Sequence, residues 1–172
     1  MKMIKVIGID PGLASTGVGM VRGSVNRIKS YAFQTITTSK NSSLPNRLQH
    51  IHFEINEILE QHKPDLVVVE DIFTLSCYPK SGITLAKVTG VILLAASYLG
   101  IDVTEIPVRE AKKVLTGNGK ASKQQLEKAV RHLLGRIEPI QPNHASDALA
   151  LGVIGIFRSK INYDRLFGRS CN

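Results

Sequence analysis

Four side chains far apart along the chain, Asp10, Glu70, His144 and Asp147, can do chemistry together if folding gathers them. Asp10 closes the apolar run of residues 4–9, with Gly8 and Gly12 beside it, and Glu70 closes another at residues 66–69. An acid directly after a buried strand projects from the carboxyl rim of its sheet, where open sheets with parallel strands bind ligands. If the two strands are neighbours, the carboxylates lie side by side, and such a pair needs a cation or a shared proton. His144 and Asp147 stand three apart at the start of a helical segment and share one face. Leu151 lies on that face and can pack it against the sheet. Three carboxylates and an imidazole suit Mg²⁺ or Mn²⁺, and two such ions can bind the attacking and leaving oxygens of a phosphodiester. Taken singly, each residue has a plainer role. Asp10-Pro11-Gly12 is a turn whose acid can cap its own backbone, Asp147 can complement a helix dipole, and His144 can sit in solvent. Taken together, acids at one rim of one sheet in a basic protein favour a metal site.

The elements that would hold these residues are readable from periodicity. Residues 4–9, 17–21 and 27–37 read as three strands with short connections, an antiparallel meander. Residues 43–62 switch to the three-and-four spacing of an amphipathic helix through Leu44, Leu48, Ile51, Ile55, Ile58 and Leu59. The β-branched run at 66–69 suits a strand buried on both faces. Residues 83–99 read as a helix closed by Gly100, and 103–106 as a short strand stopped by Pro107. A short helix at 108–115 leads into Gly117-Asn118-Gly119-Lys120. Ser122, three residues before Gln125, opens another helix with a capping box. A last helix is expected from an Asn143 N-cap to about Arg158, followed by a peripheral tail, residues 159–172. The order β-β-β-α-β-α-β-α-α-α predicts an α/β domain over residues 1–158. Its expected core is a five-stranded mixed sheet, three antiparallel strands then parallel ones, with helices on both faces.

Composition narrows the partner. The chain of 172 residues has a formal net charge of +8 and a sequence pI of about 9.7. Residues 109–136 concentrate the excess: Arg109, Lys112, Lys113, Lys120, Lys123, Lys128, Arg131 and Arg136 stand against only Glu110 and Glu127. Clustered basic charge favours nucleic acid, because cations that neutralise phosphates release condensed counterions. Cys77 and Cys171, the only cysteines, are too few for a disulfide framework. Residues 1–5 run into a strand without a signal-peptide core, and the apolar stretch 91–99 is too short to span a bilayer. No membrane association and a cytoplasmic location are expected.

Taken in order, these motifs resemble the RuvC family of Holliday-junction resolvases within the ribonuclease-H-like superfamily. Gly8-Ile9-Asp10-Pro11-Gly12, continuing through Thr16-Gly17, is similar to its first motif, and Val69-Glu70 with Phe73 to its second. Ser146-Asp147-Ala148-Leu149-Ala150 is similar to the third, and Gly117-Asn118-Gly119 to its glycine loop. The similarity spans about residues 4–157. It implies a homodimeric endodeoxyribonuclease of recombination and repair that nicks two opposed strands of a four-way junction symmetrically. It implies Mg²⁺, with Mn²⁺ able to substitute, at two ions per site, and a branch-migration helicase complex of the RuvA and RuvB type as partner. The catalytic and metal-binding positions map to Asp10, Glu70, His144 and Asp147. Many members carry Asp at the His144 position and others His. Imidazole removes one negative charge and must be neutral to bind metal, so activity is expected to fall through the histidine range as pH drops. The resemblance maps Lys112 and Lys123 to phosphate contacts and Phe73 to an aromatic that stacks on an unpaired base. Lys80, Lys113 and Lys120 join them as candidate DNA contacts. Residues 76–81 depart from the family's usual residues.

Other readings stand beside this one. An actin-like or sugar-kinase ATPase also begins with a strand and an acidic glycine turn, but needs a second domain for which 172 residues leave no room. A non-catalytic junction-binding module and a related nuclease acting on RNA remain alternatives.

Overall fold

The computed structural model describes residues 2–71 and 79–167, with side chains assigned outside 79–80 and 159–167. Its order is β1 (Ile4–Asp10), β2 (Ser15–Ser24), β3 (Arg27–Thr37), α1 (Leu44–His62), β4 (Leu66–Glu70), α2 (Pro79–Tyr98), β5 (Val103–Ile106), α3 (Val108–Thr116), α4 (Lys123–Leu133) and α5 (Asn143–Phe167). The strands form one sheet ordered β3-β2-β1-β4-β5. β1 pairs antiparallel with β2 and parallel with β4; β2–β3 is antiparallel and β4–β5 parallel. The expected mixed sheet is therefore present, with β1 at its centre.

Strand alternation divides the core in two. Val6, Val21 and Val68 face Ala111 of α3, Leu126 and Val130 of α4, and the Ala145–Ile156 stripe of α5. Ile7, Ile9, Val18, Val67 and Val69 face Ile51, Ile55 and Leu59 of α1 and Val88, Ile92 and Ala95 of α2. Both faces of β1 and β4 are buried, which explains why those runs are apolar throughout rather than alternating. Residues 81–98 are long and apolar enough to cross a membrane by length and composition, contrary to the shorter stretch read from sequence. Val88, Ile92, Ala95 and Ala96 nevertheless lie wholly buried against the sheet, as in a core helix.

Element ends follow local chemistry. Ser43 caps α1 by accepting the Asn46 N–H, and the Ser122–Gln125 capping box forms as the spacing predicts. Three elements differ from expectation in their boundaries. β2 is longer at both ends, because Ser15 and Thr16 before the expected run and Arg22, Gly23 and Ser24 after it also pair with β3. α2 starts earlier, at Pro79, a residue suited to a first helical turn. Asn143 is the first residue of α5 rather than its N-cap, and α5 runs to Phe167, beyond the expected end near Arg158.

Candidate active site

The parallel pairing of β1 with β4 brings Ile9 beside Val69, so the strands deliver Asp10 and Glu70 to the same rim. β1 and β4 flank the point where strand order reverses, the usual ligand position in such sheets. α5 enters from above with His144 and Asp147 in its first turn. Two glycines set its depth. A Cβ on Gly17 would lie 2.0 Å from the His144 carbonyl oxygen, and one on Gly8 2.1 Å from that of Ala148. Without side chains at these positions the α5 backbone rests directly on β1 and β2. Gly17 is also the cross-strand partner of Asp10, so the close approach occurs at the site itself. The turn between β1 and β2 is tied by buried Thr16, whose hydroxyl donates to the Gly12 carbonyl at 2.8 Å.

All four expected residues meet. Asp10 Oδ2 lies 2.6 Å from His144 Nδ1, and Glu70 hydrogen-bonds Asp10. Asp147 Oδ2 accepts from Lys123 Nζ at 3.0 Å. Asp10 and Asp147 are only 6% and 7% exposed. Burial, the hydrogen bond that the protonated Glu70 donates to Asp10, and the charges of Asp10 and Asp147 push the Glu70 carboxyl up to about 8. Burial also raises Asp147, outweighing the opposing pull of Lys123. The hydrogen bond to Asp10 raises His144 against the effect of its own burial. Burial disfavours the Lys123 ammonium, but Asp147 and its neighbours outweigh that and hold it above its ordinary value.

Lys123, a candidate phosphate contact, bonds Asp147 and keeps its side chain 65% exposed. Its position as the first residue of α4 was legible, but its reach to Asp147 depended on how α4 packs on α5. Lys112 and Lys113 lie on α3 and Lys120 on the following loop, outside the hydrogen-bonded cluster. Phe73 and the Lys80 side chain fall outside the described residues.

A divalent cation fits this donor set. The acids are buried beyond what one lysine and one imidazole neutralise, and Glu70 keeps its proton to about 8 as a result. Carboxylate oxygens with a single imidazole suit Mg²⁺ or Mn²⁺. Among the described residues no three acidic, His or Cys side chains already surround a common point. They are turned into bonds with each other and with Lys123.

An open mixed sheet of this order, with acids at the ends of its two central strands and on the helix crossing them, belongs to the ribonuclease-H-like class. A family model described as crossover junction endodeoxyribonuclease RuvC matches residues 6–155. Crossover junction endodeoxyribonucleases RuvC of Syntrophomonas wolfei and Carboxydothermus hydrogenoformans are each 39% identical. The first match covers 87% of both chains, the second 90% of this chain and 97% of the relative. The RuvC of Thermus thermophilus in complex with a Holliday junction substrate superposes with a TM-score of 0.81 at 27% identity, covering 92% of this chain and 96% of that one. The chain belongs to the RuvC family of crossover junction endodeoxyribonucleases.

Proposed function

We propose that this protein resolves four-way DNA junctions by hydrolysing one phosphodiester bond in each of two opposed strands. The observation that carries this reading is the convergence of Asp10, Glu70, His144 and Asp147 from β1, β4 and α5 at one rim, with Lys123 bonded among them. These four side chains would hold the metal, Mg²⁺ or Mn²⁺, at two ions per site, and the bound metal would supply an activated water and charge stabilisation for the leaving oxygen. The buried carboxylates hold the reacting region in a fixed, low-dielectric frame, so little reorganisation is needed at the moment of cleavage. To join the metal's ligands His144 would have to be neutral and to release its bond to Asp10. Lys123 has one exposed end and can turn its ammonium from Asp147 to a substrate phosphate; Lys112, Lys113 and Lys120 lie nearby in sequence as further phosphate contacts.

Two symmetric cuts need two active sites, which a twofold homodimer supplies. Support comes from α2, which buries one face in the core and leaves Ile83, Leu94 and Tyr98 exposed on the other. In this reading residues 1–158 are the nuclease unit and 159–172 a peripheral tail. Phe73 meets the junction centre, Lys80 faces DNA, and a branch-migration helicase complex of the RuvA and RuvB type presents the substrate in the cytoplasm. The non-catalytic alternative loses ground because the acidic set is complete, and the RNA-directed one because the family matched is of crossover junction endodeoxyribonucleases.

The test is cleavage of a labelled mobile four-way junction in Mg²⁺ beside linear duplex, matched RNA and an Asp10→Asn control. Paired nicks in the junction alone, lost in the control, are expected. Binding without nicking in Mg²⁺ or Mn²⁺ would establish the non-catalytic module, and equal duplex cutting would remove the junction from the reading.

A further inference from the structure

A second basic region lies outside the acidic rim and outside residues 109–136. Between Asp10 and Glu54 the chain has no Asp or Glu, yet it carries Arg22, Arg27, Lys29, Lys40 and Arg47. Register shows where they point. Val18 and Met20 pack toward α1 and α2, so Arg22, two residues on, shares their side of the sheet. Its partner on β3 is Ser30, and Ala32 and Gln34 pair with Met20 and Val18. Ile28 packs on the opposite side with α5, which turns Arg27 and Lys29 to the face of Arg22. Lys29 is the unpaired residue where the register shifts between Arg22 and Gly23. A bulge of this kind re-aims a side chain and leaves Lys29 and Ser30 on one side.

On this side β2 and β3 extend past the cover of α1: Arg22, Arg27, Lys29, Ser30, Ala32 and Gln34 are all exposed. Arg22, Arg27, Lys29 and Lys40 have no ion-pair partner among the described residues. The small neutral side chains between the cations allow a phosphate backbone to approach closely. At its upper end the strip joins the active-site rim. Thr38 donates its N–H to Ala14 at 3.1 Å and its hydroxyl to Leu13, and accepts from Arg47 Nε at 2.7 Å. These bonds lock the loop carrying exposed Lys40 against the turn that follows Asp10. From Ser15 to Arg22 the strand spans ~23 Å at ~3.3 Å per residue, the length of about seven base pairs at ~3.4 Å each.

We propose that the open face of β2 and β3, with Lys40 above it, is a phosphate-binding strip that receives one duplex arm of the junction as it leaves the active site. The inference rests on the junction-resolving reading and adds a surface to it. The strip positions the arm through backbone charge and carries no base specificity.

The full-length wild-type protein and an R22Q/R27Q/K29Q variant are titrated against a labelled junction in Ca²⁺ across a range of salt. In parallel, a photo-reactive residue replaces Ala32. Each lost phosphate contact lowers the slope of log K against log salt by about 0.9. The variant is expected to lose about two to three from the slope, with an unchanged melting temperature because the three side chains are exposed. The label at position 32 is expected to cross-link to the junction arm. An unchanged slope, or a lowered slope without the cross-link, overturns the strip while wild-type binding keeps the resolvase reading intact. A wild type that does not bind the junction overturns both.

Discussion

At the scale of single residues, the site is a set of acids that fold into each other's fields. The Glu70 carboxyl moves from 4.5 to about 8, so the folded metal-free protein retains a proton that the unfolded chain has released. Asp147 and His144 are also raised, and both likewise bind protons more tightly when folded. All three shifts therefore have one sign: unfolding free energy falls as pH rises between about 4.5 and 8. The metal-free protein is expected to melt at a lower temperature at pH 8.5 than at pH 6, and Glu70→Gln to flatten that difference. Mg²⁺ held by these residues would bind the deprotonated folded site and is expected to stabilise more at the higher pH. Calorimetric melts with EDTA and with Mg²⁺ test both; a metal-free melting point rising between pH 6 and 8.5 contradicts the shifts. The same competition is expected to make cleavage fall as pH drops and His144 takes up its proton. His144→Asp is expected to move that acidic limb to lower pH and reduce the tolerance of Mn²⁺; an unchanged pH–rate profile and metal preference would remove His144 from the metal set.

At the scale of elements, the position of α5 decides whether the acids meet. Gly17 sets it at the first turn, whereas a Cβ on Gly155, further along, would meet the Val6 and Val68 side chains at 2.6 and 2.8 Å. Side-chain ends can shift; the His144 backbone can move only with its helix. Gly17→Ala and Gly155→Ala are both expected to lower the melting temperature. Only Gly17→Ala is expected to weaken Mn²⁺ binding, by at least tenfold in a calorimeter, because it lifts His144 and Asp147 off Asp10. Equal Mn²⁺ affinity in the two folded variants would show that helix depth does not govern the site. The start of α4 gives a smaller test. Ser122→Ala breaks the capping box that anchors the turn carrying Lys123 and is expected to cost about 1 kcal/mol. That is a melting-point loss of about 2–4 °C for a chain of this size.

At the scale of the whole molecule, one face of the α1–α2 layer is unfinished. Phe53, Ile83, Leu94 and Tyr98 are exposed on helices whose other sides are core. If α2 joins two copies, wild type sediments as a dimer and Leu94→Glu as a monomer that nicks the two strands independently. A Leu94→Glu dimer would place the interface elsewhere. Basic charge is likewise distributed on the molecular scale: one group lies in α3 and α4 and another on the open face of β2 and β3, on opposite faces of the sheet.

The sequence by itself determined the elements and the candidates. Period-two and period-four patterns, Pro64 and Pro107, and the Ser122–Gln125 spacing are local signals, and the elements they mark formed nearly where expected. The types and positions of Asp10, Glu70, His144 and Asp147 were legible for the same reason: acids stand out where an apolar strand ends. Only tertiary structure decided the rest, because those outcomes depend on contacts between distant segments. The 2.6 Å approach of His144 to Asp10 depends on glycines in β1 and β2 meeting a helix more than a hundred residues later. The bond from Lys123 to Asp147 depends on α4 packing against α5. Arg22, Arg27 and Lys29 are scattered in the sequence and became one surface only when the sheet register and its bulge turned them to the same side.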